Sequence, residues 1–191
     1  MWPWEHLAVG YLAYAVPSRL LGGRVPGNAE ILLLAVATQL PDLIDKPLSW
    51  GLDVLPSGLS LAHSLFFAVP VTLSLLLLAW RRGLPRLGVA FGVGYYTHLI
   101  GDALYPFLIG RDVLPTFLLW PLYYREADVP SAIGQVLDLA TVFVAFLGTP
   151  RGRLYLAFEV LLVGGFLLLW VADGRPGLFD VRRRTRDAGD D

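Results

Sequence analysis

The sequence contains no cysteine. That excludes disulfides, thiolate-bound metals and a cysteine nucleophile. Charge is scarce too: Asp, Glu, Lys and Arg make up 16% of the 191 residues, against about 25% in an ordinary soluble domain. So little polar surface cannot coat a globule. No sign dominates, since the net charge is −1, which excludes a general basic field for nucleic acid. The amino terminus lacks the basic stretch of a secretory signal. Glu5 and His6 stand there instead, so the first apolar segment is expected to be retained. There is no internal repeat and no second domain. Residues 1–173 form the expected helical membrane domain, and 174–191 a polar tail.

Hydrophobicity is what the chain has in quantity, at 55% of residues. Six apolar stretches run Trp4–Leu21, Ala29–Ile44, Leu59–Trp80, Leu87–Leu108, Ala132–Leu147 and Leu154–Ala172. Each approaches the roughly 20 residues that cross a bilayer. A lone segment in lipid must satisfy its own backbone, so each reads as helix. The breaks at Gly22-Gly23, Pro26-Gly27, Pro56 to Gly58, Gly83 to Pro85 and Pro150 to Gly152 read as turns. The expected fold is therefore an all-α, polytopic membrane bundle of about six helices. The second and fifth stretches are the shortest and carry carboxylates. Between the fourth and fifth helices, Ile109–Pro130 has an aromatic core interrupted by Pro115 and Pro121. It reads as an interfacial or re-entrant piece, with Trp120, Tyr123 and Tyr124 at headgroup level, or as a loop packed over the bundle. Arg182, Arg183, Arg184, Asp187, Asp190 and Asp191 give the tail the pattern of a solvated charged segment.

The histidines are few: His6, His63 and His98. Alternating helix direction brings them together. His6 starts the first helix, Asp42 and Asp45 end the second, His63 starts the third, and His98 and Asp102 end the fourth. All then fall at one membrane face. His98 and Asp102 are i, i+4, so they share a helix face, and Asp42 and Asp45 at i, i+3 do the same. Three imidazoles with two or three carboxylates make a nitrogen/oxygen donor set suited to zinc, with manganese or iron as alternatives. Ionisable groups at membrane depth are costly and seldom idle. The plainer reading is a set of ordinary polar pairs, with Lys46 beside the aspartates and Ser64 capping a helix. Asp138, two turns into the fifth helix, is a candidate support for the ligands, or a hydrogen-bond partner of Gln135. Glu159 enters from the other face as a polar contact between helices.

In order, His6, the run Leu40-Pro41-Asp42-Leu43-Ile44-Asp45, the pair His63-Ser64 and His98-Leu99-Ile100-Gly101-Asp102 resemble the YdjM-type family of predicted membrane-bound metal-dependent hydrolases. Leu118-Leu119-Trp120-Pro121-Leu122 resembles that family's following segment, so the likeness covers the first two thirds of the chain. The family is distantly similar to zinc-dependent phospholipase C and its nuclease relatives. That resemblance implies one or two divalent ions. The first would be held by His63, His98, Asp102 and one of Asp42 or Asp45, and Asp102 would bridge to a second ion at His6. It departs from those relatives in having no histidine after His98, and Trp2 follows Met1 instead of standing first.

The expected chemistry is attack of a metal-activated water on an ester, most plausibly a phosphoester, with a lipid-linked substrate reaching the site through the bilayer. Whichever of Asp42 and Asp45 is not a ligand is the expected general base, and Ser64 a support behind the ligands. The competing classes are a metal-ion transporter and a non-enzymatic scaffold. Loops opposite the histidine face carry Arg19, Arg24, Arg81, Arg82, Arg86, Arg151 and Arg153, against Lys46, Arg111 and Arg125 on the histidine side. Cytoplasmic loops hold the excess of positive charge, so the site is expected to face outward in a cell membrane. The tail conflicts with this. With six crossings Arg175, Arg182, Arg183, Arg184 and Arg186 fall on the histidine side, so either the tail lies outside or one segment fails to cross.

Overall fold

Local chemistry sets each helix boundary in the computed structural model, which describes residues 1–111, 114–123 and 132–178. Helix α1 (Pro3–Leu20) opens on a proline, and the Glu5 carboxylate accepts the otherwise unpaired Trp2 amide at 2.7 Å. Helices α2 (Asn28–Ala37) and α3 (Leu40–Lys46) replace the expected single second helix. The break falls at Thr38–Gln39, just ahead of Pro41 in the first turn of α3. A π-turn at Pro47–Gly51 follows. Helix α4 (Leu65–Arg81) is capped by Ser64, whose hydroxyl accepts from the Phe66 amide at 3.1 Å. Helix α5 (Pro85–Leu108) begins on a proline, and a 3-10 turn occupies Thr116–Leu119. Helix α6 spans Ala132–Leu147, and α7 (Pro150–Ala172) is capped by Thr149. Among the described residues the chain is all-helical. Tyr124, Asp187, Asp190, Asp191 and the arginines 182–184 and 186 lie outside them.

Among the described residues one helix, α7, is both long and apolar enough to cross a membrane, and α4 and the Val136–Leu147 part of α6 are shorter apolar helices. Helices α1 and α5 have the length, but they carry the histidines, carboxylates, tyrosines and glycines that the interior uses.

Helix α5 is the axle of the bundle and packs on α1, α2 and α4. Tyr95, Leu99 and Phe91 of α5 meet Ala37 and Ala68 in one cluster, and Ala90 joins Tyr11, Tyr14, Ile31 and Leu34 in another. The α2 crossing is close because residue 94 is glycine: a Cβ there would lie 2.7 Å from the Leu34 carbonyl oxygen. The outward faces of α4 and α7 leave leucines such as Leu73, Leu77, Leu161 and Leu168 exposed. An apolar exterior over a polar interior is the arrangement a bilayer permits.

Direction alternates as expected through α5 and then stops alternating. The start of α7 lies beside the start of α1: Tyr155 donates to Glu5, and the Trp4 indole donates to Glu159 at 2.5 Å. The two ends are also together, where Arg19 and Tyr11 both bond Asp173. Helices α1 and α7 are therefore parallel. Helix α6 belongs to the α1-start end of the bundle, with Phe143 edge-on to Trp2, Phe146 against Tyr155, and contacts to the π-turn. The expected alternation of the fifth and sixth stretches, now α6 and α7, fails on this point. A mostly apolar helix of 16 residues satisfies hydropathy whether it crosses or returns.

The Asp173 carboxylate is fully buried, and among the described residues Arg19 is its cation. Arg19→Ala should destabilise the chain by about 3 kcal/mol, the low end for stranding a buried charge because Arg19 itself is partly exposed. Thermal unfolding in detergent measures this. Arg19→Lys should recover part of the loss, and an unchanged midpoint in Arg19→Ala would show that the latch does not hold α1 to α7.

Candidate metal centre

Four side chains from three parts of the chain aim one atom each at a common point. Asp42 comes from α3, His63 from the loop before α4, and His98 and Asp102 from successive turns of α5. All four are buried, and their donor atoms lie within 4.8 Å of one another. The His63 and His98 Nε2 atoms are 3.0 Å apart. Each lies 3.3 Å from Asp102 Oδ2, and they lie 3.6 and 3.8 Å from Asp42 Oδ1. Bonds of about 2.0–2.1 Å to nitrogen and oxygen give a tetrahedron with edges of about 3.3–3.4 Å. The five edges above bracket that value. Asp42 Oδ1 is buried with no hydrogen-bond partner. Two imidazoles, two carboxylates and an orphaned buried oxygen fit a divalent cation.

The ligands are held from behind. His98 Nδ1 bonds the Thr38 carbonyl oxygen at 2.7 Å, which uses the backbone exposed by the α2–α3 break. His63 Nδ1 bonds Asp45 Oδ2 at 2.8 Å. Such contacts fix ring orientation and leave Nε2 free for a cation. Asp45 was among the expected ligands and candidate bases, but its fully buried carboxylate faces the other way. It accepts the backbone amides of Ser60 at 2.8 Å, Ala62 at 2.9 Å and His63 at 3.2 Å. Those bonds explain why residues 59–64, apolar enough for helix, form a loop: their amides bond a side chain and not a turn of helix.

His6 is fully buried and stacks on His98, with ring centroids 3.8 Å apart. Its Nε2 lies 3.2 Å from Asp102 Oδ1, the oxygen facing away from His63 and His98. Neither ring nitrogen has a hydrogen-bond partner. The Met1 amine reaches the same Oδ1 at 2.5 Å. Gly101 makes room for Met1 and for this ring: a Cβ at that position would lie 2.5 Å from Met1 Sδ and 3.3 Å from His6 Nδ1. Ser64 does not join the centre. It caps α4 and donates to the Trp120 carbonyl at 2.5 Å. That bond brings the 3-10 turn over the site, where Phe117 stands edge-on to His63 at 6.0 Å. Asp138 lies exposed on α6 and outside the group of four. Sequence reasoning gave no part to Thr38, which acts through its backbone carbonyl, so its residue type carries no signal. Gly101 stood in the His98–Asp102 run without a role, and its glycine identity is the signal that could have found it.

With the geometry in place, comparison with known families bears directly on it. The family model described as YdjM inner membrane protein matches residues 1–175. The chain belongs to the YdjM inner membrane protein family. That membership and the apolar α7 make it a membrane protein. All four cluster residues fall inside the YdjM match. No curated protein and no solved structure matches the chain.

His63 lies in the loop ahead of α4. Burial would lower its pKa, but the facing carboxylates of Asp102, Asp42 and Asp45 overcome that and raise it to about 10. The metal-free ring therefore keeps its proton through neutral pH, and a cation must displace it. The sign follows: metal affinity should rise by about tenfold per pH unit between about pH 6 and pH 8. Titration with zinc at several pH values measures the slope. A flat profile would mean that no proton leaves His63 when the cation binds.

Proposed function

We propose that the chain is a membrane-bound, metal-dependent hydrolase of phosphoesters. Asp42, His63, His98 and Asp102 hold the catalytic cation, and the single observation carrying this reading is the convergence of their donor atoms. When bound, a divalent cation, zinc by the donor set, supplies Lewis acidity and lowers the pKa of a coordinated water from about 15.7 toward about 7. The chain's own residues position the rest. Asp45 orients His63, and Thr38 orients His98. Neither aspartate is free to be a general base, since Asp42 Oδ1 faces the cation position and Asp45 is saturated by backbone amides. Asp102 Oδ1 and His6 are placed to hold a second ion. His6→Ala should then lower the metal-to-protein ratio from two to one. An unchanged ratio would confine the chemistry to one ion.

The same reading sets the topology. Five crossings, by α1, α2–α3, α4, α5 and α7, put the ends of α1 and α7 on one side and the site on the other, with α6 returning without crossing. The end of α7 then joins the side with Arg19, Arg24, Arg81, Arg82 and Arg86. Among the described residues that side carries these five and Arg175, against Lys46, Arg111, Arg151 and Arg153 on the site side. The positive-inside rule makes the more basic side cytoplasmic and the site extracytoplasmic. A site at one end of apolar helices suits a lipid-linked phosphoester arriving laterally.

The test is hydrolysis of phosphodiester and lipid substrates by the purified, metal-loaded chain in detergent, with His98→Ala as control. Full metal occupancy without cleavage of any ester class would overturn the enzyme reading. The broken α2–α3 helix beside Asp42 favours a second reading, metal-ion transport, because transporters use broken helices at ion sites. Metal uptake into vesicles would decide for it.

A further inference from the structure

We infer that Lys46 is the anion anchor of the centre and that the site selects esters bearing a negatively charged oxygen over neutral ones. The inference rests on the hydrolase reading above and names the substrate charge that reading leaves open. Carboxylates crowd the centre, with Asp42, Asp45 and Asp102 all buried around His63. Apart from the histidines of the centre, two cations among the described residues touch them, the Met1 amine at Asp102 and the Lys46 side chain at Asp42. Lys46 Nζ lies 2.5 Å from Asp42 Oδ2, the oxygen turned away from the donor cluster. The next turn supports it from the other side, where the ammonium stands 5.5 Å from the centre of the Trp50 ring.

Exposure separates this lysine from its neighbours. His63 and His98 are fully buried, whereas the Lys46 side chain keeps 30% of its surface. It therefore stands at the rim while the ligands stand at the floor. An ammonium has three N–H donors, and Asp42 takes one. Two remain for a second anion without breaking the ion pair. A phosphodiester oxygen approaching the centre would accept one of them and gain a charge-assisted hydrogen bond. A neutral carboxylic ester gains much less. A lysine needed only to neutralise Asp42 has no such preference, so the two roles can be told apart.

The experiment uses the full chain in detergent, loaded with zinc, and orthophosphate as the probe. Phosphate affinity and zinc content are measured for the wild type, Lys46→Met and Lys46→Arg. The expected result is about a tenfold loss of phosphate affinity in Lys46→Met with zinc content unchanged, and recovery of most of it in Lys46→Arg. In parallel, Lys46→Met should raise the KM for bis(p-nitrophenyl) phosphate by more than it lowers kcat, while hydrolysis of neutral p-nitrophenyl acetate stays within about twofold. Equal phosphate affinity in wild type and Lys46→Met overturns the inference. So does a loss that tracks a fall in zinc, or no phosphate binding by the wild type. A wild type that binds phosphate through Lys46 but cleaves neither ester removes the hydrolase reading and leaves the anion anchor standing.

Discussion

His98→Ala should abolish stoichiometric metal binding and leave a folded chain. His98 supplies one of four converging donor atoms and is fully buried, so water does not readily replace its nitrogen. Loss of a group that merely orients a ligand weakens metal affinity by about 10- to 100-fold. Loss of the ligand itself should exceed about 100-fold. The fold should survive because the α5 contacts that hold the bundle run through Phe91, Gly94, Tyr95 and Leu99, and His98 adds one bond to the Thr38 carbonyl. Zinc titration, read beside the helical circular-dichroism signal, measures both. Unchanged metal content in a folded His98→Ala would remove this histidine from the centre. A change in helical content would instead show that it serves the core.

The second large effect is expected at Asp45. Its carboxylate accepts three backbone amides and one imidazole nitrogen, all buried. Asp45→Ala strands those four groups together. Each buried polar group left unpaired costs about 1–3 kcal/mol, so the total reaches several kcal/mol, less whatever the loop recovers by relaxing toward water. Asp45→Ala should therefore lower thermal stability markedly and, in whatever folds, weaken metal binding by the 10- to 100-fold typical of an orienting group. Asp45→Asn keeps the shape but turns an amide NH2 toward donors, so it should fall between. If Asp45→Asn lost metal as completely as His98→Ala while keeping full stability, Asp45 would be a ligand after all.

The two aspartates also show how far the sequence could be read. Spacing of i, i+3 places Asp42 and Asp45 on one face of a helix, and that much was legible. It could not say which of them meets the histidines. The answer depends on the path of residues 52–64, of which 59–64 are apolar enough to pass for the start of α4. Their amides instead converge on Asp45, a long-range arrangement with no periodic signature. The His98–Asp102 pair was fully legible, because i, i+4 spacing on a long helix needs no tertiary information. Convergence of His6, His63 and His98 at one end was legible too, since it follows from alternating direction through α5. The bounds of α1, α5 and α6 match the apolar stretches to within a residue or two. The break inside the second stretch had only Pro41 to mark it.

Helix α6 was misread for a different reason. Hydropathy measures how well a segment suits lipid, and an apolar helix returning along one side of a bundle suits it as well as one that crosses. The contrary signal was already present in the arginine-rich tail, which sat on the wrong side for six crossings. The contacts of Phe143 and Phe146, and the pairing of both ends of α1 with α7, break the alternation between α5 and α7.

The claim under everything else is that Asp42, His63, His98 and Asp102 close around one cation. X-ray absorption at the metal edge of the purified chain tests it most directly. The account predicts bound metal with a first shell of nitrogen and oxygen alone at about 2.0–2.1 Å, and imidazole scattering that weakens in His63→Ala and in His98→Ala. A shell made of water, or an unchanged imidazole signal after both substitutions, would contradict it.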